Sequence, residues 1–245
     1  MSPAGNRRIP AWRERVRIAP EWQGVTGVAA LLRSPPDSAE LLSQSARSRV
    51  WKLVLAGHAL VMKEYRSPSP LRRLARGLRR SKAERCWRAA GRLAQLGIPA
   101  MRRVAVRESR FGPLVWEAGF VGTWLPGPDL RDALLGGEVS ASLRRERAWQ
   151  AVNLVGRIHS AGLVHGDLKA ANLRFTPQGP AVVDLDDVHA PLAGPRRAYM
   201  MRRDWRILLH NWRRDPDIHA LFAELIRDYL GPAAFSRVRA RPFRR

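Results

Sequence analysis

The chain contains a single cysteine, Cys86, among its 245 residues. One cysteine cannot form an internal disulfide framework, and it cannot supply the cysteine clusters that hold structural zinc or iron–sulfur groups. This scarcity is typical of proteins that work in a reducing compartment.

Long apolar runs are also missing. No segment approaches the roughly 18 consecutive apolar residues of a membrane-spanning helix, and residues 1–17 carry charge without the apolar stretch of a secretory signal. The apolar content of 45% still argues against disorder. We therefore expect a folded cytoplasmic chain that is soluble or peripheral to a membrane.

Acidic residues and lysines are few. There are 21 Asp and Glu against 44 Lys and Arg, a net charge of +23, and lysine occurs only at Lys52, Lys63, Lys82 and Lys169. A GC-rich genome favours arginine codons, and an acidic partner would also select them: nucleic acid, an anionic membrane face or a phosphorylated substrate. Composition alone leaves these explanations open.

The most informative feature that is present is the segment HGDLKAAN at residues 165–172, followed by Asp184 at the end of the next apolar run. Its H-x-D-x-x-x-x-N spacing is the catalytic-loop signature of protein kinases, with Gly166 where those enzymes usually have Arg. Phosphoryl transfer from ATP requires an oriented hydroxyl, neutralised phosphates and bound Mg²⁺. The segment therefore predicts a small kinase that uses ATP and Mg²⁺.

Each polar residue of this region has a predicted role. Asp167 orients the attacking hydroxyl and accepts its proton. Asn172 and Asp184 supply the hard oxygen atoms that Mg²⁺ prefers. Lys169 stabilises the charge that develops on the γ-phosphate. Asp186 either adds a second carboxylate to the metal or is a solvated turn residue.

A second group of predicted site residues precedes this loop. Lys63, near the end of a predicted strand, suits the α- and β-phosphates of ATP as a compact charge. A kinase also places a Glu on the following helix to pair with this lysine. Either Glu84 or Cys86 falls at the corresponding position, and we favour Glu84, the carboxylate available between residues 82 and 96.

The segment that should cover the phosphates is unusual. Residues 43–49 contain no glycine, whereas kinases normally have a glycine-rich loop there. Backbone amides or the side chains of Ser45, Ser48 and Arg49 would have to take its place. We expect His165 to anchor the catalytic loop through backbone hydrogen bonds rather than to react.

The order of the predicted elements indicates an α+β, bilobal protein-kinase-like fold. Residues 1–44 form an N-terminal extension without a clear period, residues 45–122 a small antiparallel-sheet lobe with one main helix, and residues 123–245 a mainly helical, shortened lobe. The predicted strands cover residues 50–55, 59–65, 103–108 and 113–121, with a strand pair around 177–179. The predicted helices cover residues 82–96, 146–161, 202–212 and 217–230.

Over roughly residues 48–210 the chain resembles the lipopolysaccharide kinase family, the Kdo and heptose kinases of Gram-negative bacteria. The segments that carry the resemblance are VMKEY at 61–65, RSKA at 80–83, LGIP at 96–99, HSAGLVHGDLK at 159–169 and VDLD at 183–186. The chain departs from the family at Cys86, where many members have Glu, at Met101, where a second Pro is common, and at Asp187, where Gly is frequent.

The resemblance implies ATP-dependent phosphorylation of a sugar hydroxyl in a lipid-linked glycan, at the inner face of the cytoplasmic membrane. It carries the same roles to Asp167, Asn172, Asp184 and Lys63. The sequence beyond Asp184 independently favours an acceptor that is not a protein, because it lacks an A-P-E segment and only about 60 residues follow.

Several alternatives remain open. Leu71, Leu74 and Leu78 alternate with arginines, and this helix would lie on an anionic membrane or pack its leucines inward. A kinase of another small molecule, or a pseudokinase that binds nucleotide without catalysis, also fits the chain. A nucleic-acid-binding protein is disfavoured, because the nine Trp are scattered and no recognition motif is present.

Overall fold

The computed structural model describes residues 12–66, 80–112 and 114–239. The chain divides into two compact units, one of Met1–Trp87 with Arg103–Thr123, the other of Arg88–Arg102 with Trp124–Arg245. The predicted amphipathic helix with Leu71, Leu74 and Leu78 lies outside the described residues.

The first unit is built on a six-stranded antiparallel sheet in the order β1-β5-β6-β4-β3-β2. The strands are β1 Trp12–Ile18, β2 Glu40–Gln44, β3 Ser48–Leu55, β4 His58–Arg66, β5 Arg103–Phe111 and β6 Leu114–Thr123. A short helix, α1 Val28–Leu31, follows β1, and α2 Lys82–Gln95 begins in this unit. The four strands predicted for this region are confirmed.

The predicted N-terminal extension, residues 1–44, contains the strands β1 and β2 and the short helix α1. β1 pairs with β5 from Trp12 opposite Phe111 to Ile18 opposite Ala105. Its sequence WRERVRI alternates, but three of its seven residues are arginine and most of the strand is exposed. A strand that buries so little apolar surface has a weak sequence signal, and pairing with β5 decides its conformation.

The central strand β4 carries Lys63. Side chains of a strand alternate between its faces, so Leu60 and Met62 share one face of β4, while Val61, Lys63 and Tyr65 share the other. Leu60 and Met62 are fully buried. The register places Lys63 between Val50 of β3 and Phe120 of β6.

The second unit is mainly helical, with one hairpin. Its further elements are α3 Leu130–Leu135, α4 Ala141–Ser160, β7 Leu173–Thr176, β8 Gly179–Val182, α5 Pro195–His210, α6 Pro216–Leu230 and α7 Pro232–Arg239. The α+β, kinase-like fold class is confirmed. The helices α3 and α7 were not predicted from the sequence.

Two predicted helices begin earlier than expected. α4 starts at Ala141 rather than at residue 146, because the Ser140 hydroxyl accepts the Leu143 N–H and caps the helix. α5 starts at Pro195 rather than at residue 202. Its first two turns lack an apolar stripe, and their start is marked only by a proline at the first helical position.

The core of this unit centres on α4. Ala148, Ala151, Val155 and Ile158 are buried, as the predicted face requires. Gly156 lies against Tyr229 of α6, so closely that a Cβ at this position would lie 2.0 Å from the tyrosine hydroxyl oxygen. Within the described parts of the chain, no helix combines the length and the apolar character needed to cross a bilayer.

Candidate active site

The predicted catalytic loop follows α4 in the second unit. The chain turns at Gly162, whose φ of 74° lies in the left-handed region, and Val164 then forms a two-way backbone bridge with His189. The loop therefore begins from a paired backbone position. Its next residues are held by a helix distant in sequence.

Asp204 of α5 is the main anchor of the loop. Its carboxylate accepts the His165 N–H at 2.7 Å and the Gly166 N–H at 2.9 Å, and His159 Nε2 lies 3.2 Å away. Asp204 is fully buried, and a buried carboxylate is stable only with such partners. Sequence reasoning missed it, although a lone Asp beside Trp205 on the buried side of a helix is a usable signal.

Gly166 explains why this loop differs from the protein-kinase motif. Its φ is 84°, which favours glycine. A Cβ at this position would lie 2.9 Å from the carbonyl oxygen and 3.0 Å from the Cβ of Asp187. Any larger residue would collide with the segment after Asp184. An arginine at 166 is therefore incompatible with this local packing.

His165 holds the loop, as predicted. Its side chain is buried, and its Nε2 lies 3.1 Å from the carbonyl oxygen of Val183. A carbonyl oxygen only accepts hydrogen bonds, so Nε2 carries the proton. This bond ties the loop directly to the strand that leads into Asp184.

The two predicted catalytic side chains, Asp167 and Lys169, lie together. Lys169 Nζ donates to Asp167 Oδ2 at 2.6 Å, and both side chains are partly exposed. Such a pair in contact with water contributes little to stability. The contact therefore places a cation beside the predicted base without fixing either group rigidly.

The predicted metal ligands are brought together by backbone pairing. The Asn172 Nδ2 donates to the Asp167 carbonyl at 2.8 Å, and the Val183 N–H donates to the Asn172 carbonyl at 2.9 Å. Asn172 thus lies between the loop and the residue before Asp184. Asp184 itself is left-handed, with φ 55° and ψ 64°, a conformation that costs about 1–2 kcal/mol for a residue other than glycine.

These residues fit a divalent cation with hard-oxygen preference. The amide nitrogen of Asn172 is used within the loop, so its oxygen is the atom suited to a metal, and Asp184 supplies a carboxylate. Asp186 is buried at the following turn. Among the residues with described positions, no three His, Cys, Asp or Glu side chains form a metal-binding group. The candidate set is therefore one amide with one or two carboxylates.

The LGIP segment supports this arrangement from the other side of β8. Val182 donates its N–H to the Pro99 carbonyl at 3.0 Å, and Met101 donates its N–H to the Val182 carbonyl at 3.1 Å. The strand before Asp184 is thus paired on both edges, because Leu173 of β7 lies opposite Val182. At position 101 a proline would lack the N–H that Met101 donates.

In the first unit, Lys63 and Glu84 are both buried. Tyr65, on the same face of β4 as Lys63, places its hydroxyl 3.5 Å from the Cys86 sulfur. That face of the strand therefore packs against the start of α2. The Glu84 carboxylate forms an ion pair with Arg17 of β1. A role for Glu84 as the partner of Lys63 stays a prediction.

The turn between β2 and β3 is closed on itself. The Ser45 hydroxyl accepts the N–H groups of Arg47 at 3.2 Å and Ser48 at 3.0 Å, and the Ser45 N–H donates to the Ser48 carbonyl at 2.8 Å. The Ser45 hydroxyl thus binds two backbone N–H groups of the segment that was predicted to contact phosphate. A serine-closed turn therefore lies at the position where kinases normally have a glycine-rich loop.

One carboxylate of the first unit has a shifted pKa. Burial of Glu108 on β5 would raise its pKa, but hydrogen bonds from Arg110, 3.0 Å away, and from Ser81 outweigh burial. The pKa of Glu108 is therefore below its ordinary value. Since Ser81 also accepts the Glu84 N–H at 3.0 Å, this charged group helps to fix the start of α2.

The fold and the loop are those expected of a kinase, and the family match shows that class. A sequence profile of the Lipopolysaccharide kinase (Kdo/WaaP) family matches residues 40–229, and the chain belongs to this family. It is similar in structure to a protein described as WaaP in complex with acyl carrier protein, with a TM-score of 0.58 and 20% identity over 92% of this chain and 97% of that one. No curated protein matches the sequence.

Proposed function

We propose that this lipopolysaccharide kinase transfers the γ-phosphate of ATP to a sugar hydroxyl, Kdo or heptose, of the lipopolysaccharide inner core. The observation that carries the proposal is the hydrogen-bonded chain from Asp167 through Asn172 to Val183, which brings the predicted base and both predicted metal ligands to one end of the β7–β8 hairpin. Phosphoryl transfer depends mainly on such positioning.

Asp167 orients the acceptor hydroxyl and accepts its proton. Its carboxylate is partly exposed, so an acceptor can reach it, and its backbone carbonyl is held by Asn172. Lys169, 2.6 Å away, exchanges this carboxylate for the γ-phosphate when substrates bind. Its charge then stabilises the transferring group.

Asn172 and Asp184 hold Mg²⁺, with Asp186 as an additional carboxylate. When bound, Mg²⁺ neutralises charge on the ATP phosphates. The left-handed backbone at Asp184 supports this assignment, because strained conformations persist where the surrounding structure imposes them and are concentrated at functional sites.

Lys63 binds the α- and β-phosphates, and Glu84 orients it. Burial of Lys63 on the face of β4 that packs against α2 supports this role, because a buried ammonium requires an anionic partner. Glu84 is also held by Arg17, which fixes the carboxylate near the start of α2.

The decisive experiment is transfer of radiolabelled phosphate from ATP into extracted lipopolysaccharide, compared with free sugars and aminoglycosides. We expect label in lipopolysaccharide, and loss of labelling in Asp167→Asn. Asp217→Asn, an exposed aspartate in the first turn of α6, is the matched control and should label normally.

Other outcomes select the alternatives. Labelling of aminoglycosides or free sugars in preference to lipopolysaccharide identifies a small-molecule kinase. Nucleotide binding without any turnover, unchanged by Asp167→Asn, identifies a pseudokinase. Mass spectrometry of the labelled sugar separates Kdo from heptose, since the two sugars differ in mass and in the carboxylate of Kdo.

We further propose that the protein works in the cytoplasm, as a peripheral protein on the inner face of the cytoplasmic membrane. Among the described residues, exposed aromatic side chains form a cluster at the end of the sheet. The ring centre of Trp12 lies 5.5 Å from the ring centres of both Phe111 and Trp116. Tryptophan rings favour the membrane interface, and this cluster therefore supports a peripheral contact with a membrane.

Co-sedimentation with phosphatidylglycerol vesicles tests this surface. Trp116→Ala should weaken binding severalfold, and Trp149→Ala is the control, because the two tryptophans are 38% and 40% exposed on different units. Equal binding by both variants and the unmodified protein would exclude the aromatic cluster as the membrane contact.

A further inference from the structure

Both backbone polar groups of Gly166 are held by neighbouring residues of α5. The Gly166 N–H donates to Asp204 Oδ1 at 2.9 Å, and the Gly166 carbonyl accepts a hydrogen bond from Arg203 Nη1. That carbonyl belongs to the peptide group between Gly166 and Asp167. The guanidinium of Arg203 therefore binds the peptide group directly before the predicted base.

The peptide group between Gly166 and Asp167 requires a contact from outside the loop to fix its orientation. Gly166 is left-handed, with φ 84°, and glycine has more backbone freedom than any other residue. The direction of the Asp167 side chain depends on the orientation of the peptide plane between residues 166 and 167. Asp204 binds the Gly166 N–H, which precedes this peptide plane. It does not fix the Gly166 carbonyl, which lies in the plane. The contact from Arg203 supplies the missing constraint.

The contact is specific to Arg203 and does not follow from the general excess of arginine. Arg197 of the same helix donates to the Pro191 carbonyl. Arg206 donates to the Arg202 carbonyl, and its guanidinium lies 5.6 Å from the centre of the Tyr199 ring. These neighbours are bound elsewhere, whereas Arg203 reaches the catalytic loop.

We propose that Arg203 is a positioning residue for Asp167. From α5 it supplies a guanidinium to the loop, whose motif has glycine where protein kinases usually have arginine. The inference rests on the proposed role of Asp167 and extends it. Arg203 has five N–H donors in a rigid plane, so it fixes the direction of the carbonyl as well as its distance. A lysine at this position lacks that planar geometry.

The test compares Arg203→Gln and Arg203→Lys with Arg206→Gln as the matched control. We expect kcat to fall about 30-fold in Arg203→Gln and about tenfold in Arg203→Lys, because small misplacement of a catalytic group costs up to about 100-fold. The affinity for Mg²⁺-ADP and the melting temperature should stay close to those of the unmodified protein. Arg206→Gln should retain full turnover.

A double-mutant cycle distinguishes positioning from an independent role. If Arg203 acts through Asp167, Arg203→Gln should not further reduce the residual turnover of Asp167→Asn, because coupled residues are not additive. Additive losses, or a raised KM for the acceptor with kcat unchanged, would overturn the proposal in favour of direct acceptor binding. An unchanged kcat would also overturn it.

Hydrogen exchange of the amides at residues 165–168 gives a readout that needs no turnover. Arg203→Gln should accelerate exchange in this segment, and Arg206→Gln should not. If the unmodified protein labels no lipopolysaccharide, the proposed function fails, and exchange together with ATP hydrolysis still tests Arg203. Unchanged exchange and unchanged hydrolysis in Arg203→Gln would refute the positioning role on its own.

Discussion

The predicted catalytic loop of the second unit and the predicted nucleotide-binding residues of the first unit differ in the contacts that position them. The loop is fixed by hydrogen bonds between side chains and backbone groups: Asp204 and Asn172 bind its backbone, and the His165 side chain binds the Val183 carbonyl. In the first unit, Lys63, Glu84 and Arg17 come from three separate elements, and the side chains of Arg17 and Glu84 form an ion pair.

The difference shows which parts of a kinase sequence are informative. The bond from Asn172 to the Asp167 carbonyl spans five residues and requires their fixed spacing, so this part of the loop has a motif that can be recognised. Side-chain ion pairs between distant elements can be exchanged for other pairs without any change in local spacing. Here Arg17 binds the glutamate that the sequence assigns to Lys63.

The largest effect is expected for Asp204→Asn, which tests whether backbone anchoring of the loop is essential. The variant replaces one acceptor oxygen by an amide N–H₂ that faces a backbone N–H. We expect a loss of about 3 kcal/mol in the free energy of unfolding, because a buried polar group loses its partner, and about a 100-fold fall in kcat. Urea unfolding and phosphate transfer measure the two quantities.

Asp215→Asn is the control for this variant. Asp215 pairs with Arg131 at 3.0 Å on the surface, and exposed pairs are worth about 0–1 kcal/mol. If Asp204→Asn were as stable and active as this control, the contrast between the anchored loop and the side-chain ion pair of the first unit would be lost.

The next variant, Lys63→Met, tests the strand side. We expect kcat/KM for ATP to fall about 100-fold, the scale of removing one preorganised charge from the transition state. Glu84→Gln should cost only about tenfold, since the proposed role of Glu84 is to orient Lys63 and not to contact ATP. Glu64→Gln, at the neighbouring half-buried position of β4, serves as the control. Steady-state kinetics with full activity in Lys63→Met would remove the nucleotide role.

Gly156→Ala tests the packing of α4 against α6 rather than the chemistry of the loop. Alanine normally stabilises a helix relative to glycine by roughly 0.5–1 kcal/mol. Here the added Cβ would meet the Tyr229 hydroxyl oxygen at 2.0 Å, so we expect a net loss of about 2 kcal/mol from overpacking. Thermal unfolding measures it. Gly24→Ala, whose Cβ meets nothing within 4 Å, should change the melting temperature little.

The smallest effect is expected for Glu108→Gln in the first unit. The pKa of Glu108 is lowered in the folded protein, so its charge stabilises the fold above the unfolded-state pKa of about 4.3. This contribution is lost as the pH falls through the lower folded-state pKa. We expect Glu108→Gln to cost about 1 kcal/mol at pH 7 and the difference to shrink in acid. A difference that grows below pH 4 would contradict the sign of the shift.

Much of the fold could be predicted because its elements have local signals. The apolar stripe of α4 and the turn at Gly57 are examples, and both lie where expected. The strand β1 could not be predicted with the same ease, because its alternating residues are mostly arginine and exposed. The start of α5 was missed for a similar reason, since its first turns bury no apolar face.

The chemical groups available to this protein can be read from its sequence: an HGDLKAAN loop followed by an aspartate, two lysines at the predicted phosphate positions, and no cysteine pair. These are local properties, since spacing along the chain sets which groups a loop can present. Only the tertiary structure decided which distant residues hold them, above all Arg203 and Asp204 at Gly166 and Arg17 at Glu84. Such contacts join residues more than 35 positions apart. The energy of packing selects among many possible partners, and no local sequence pattern records that energy.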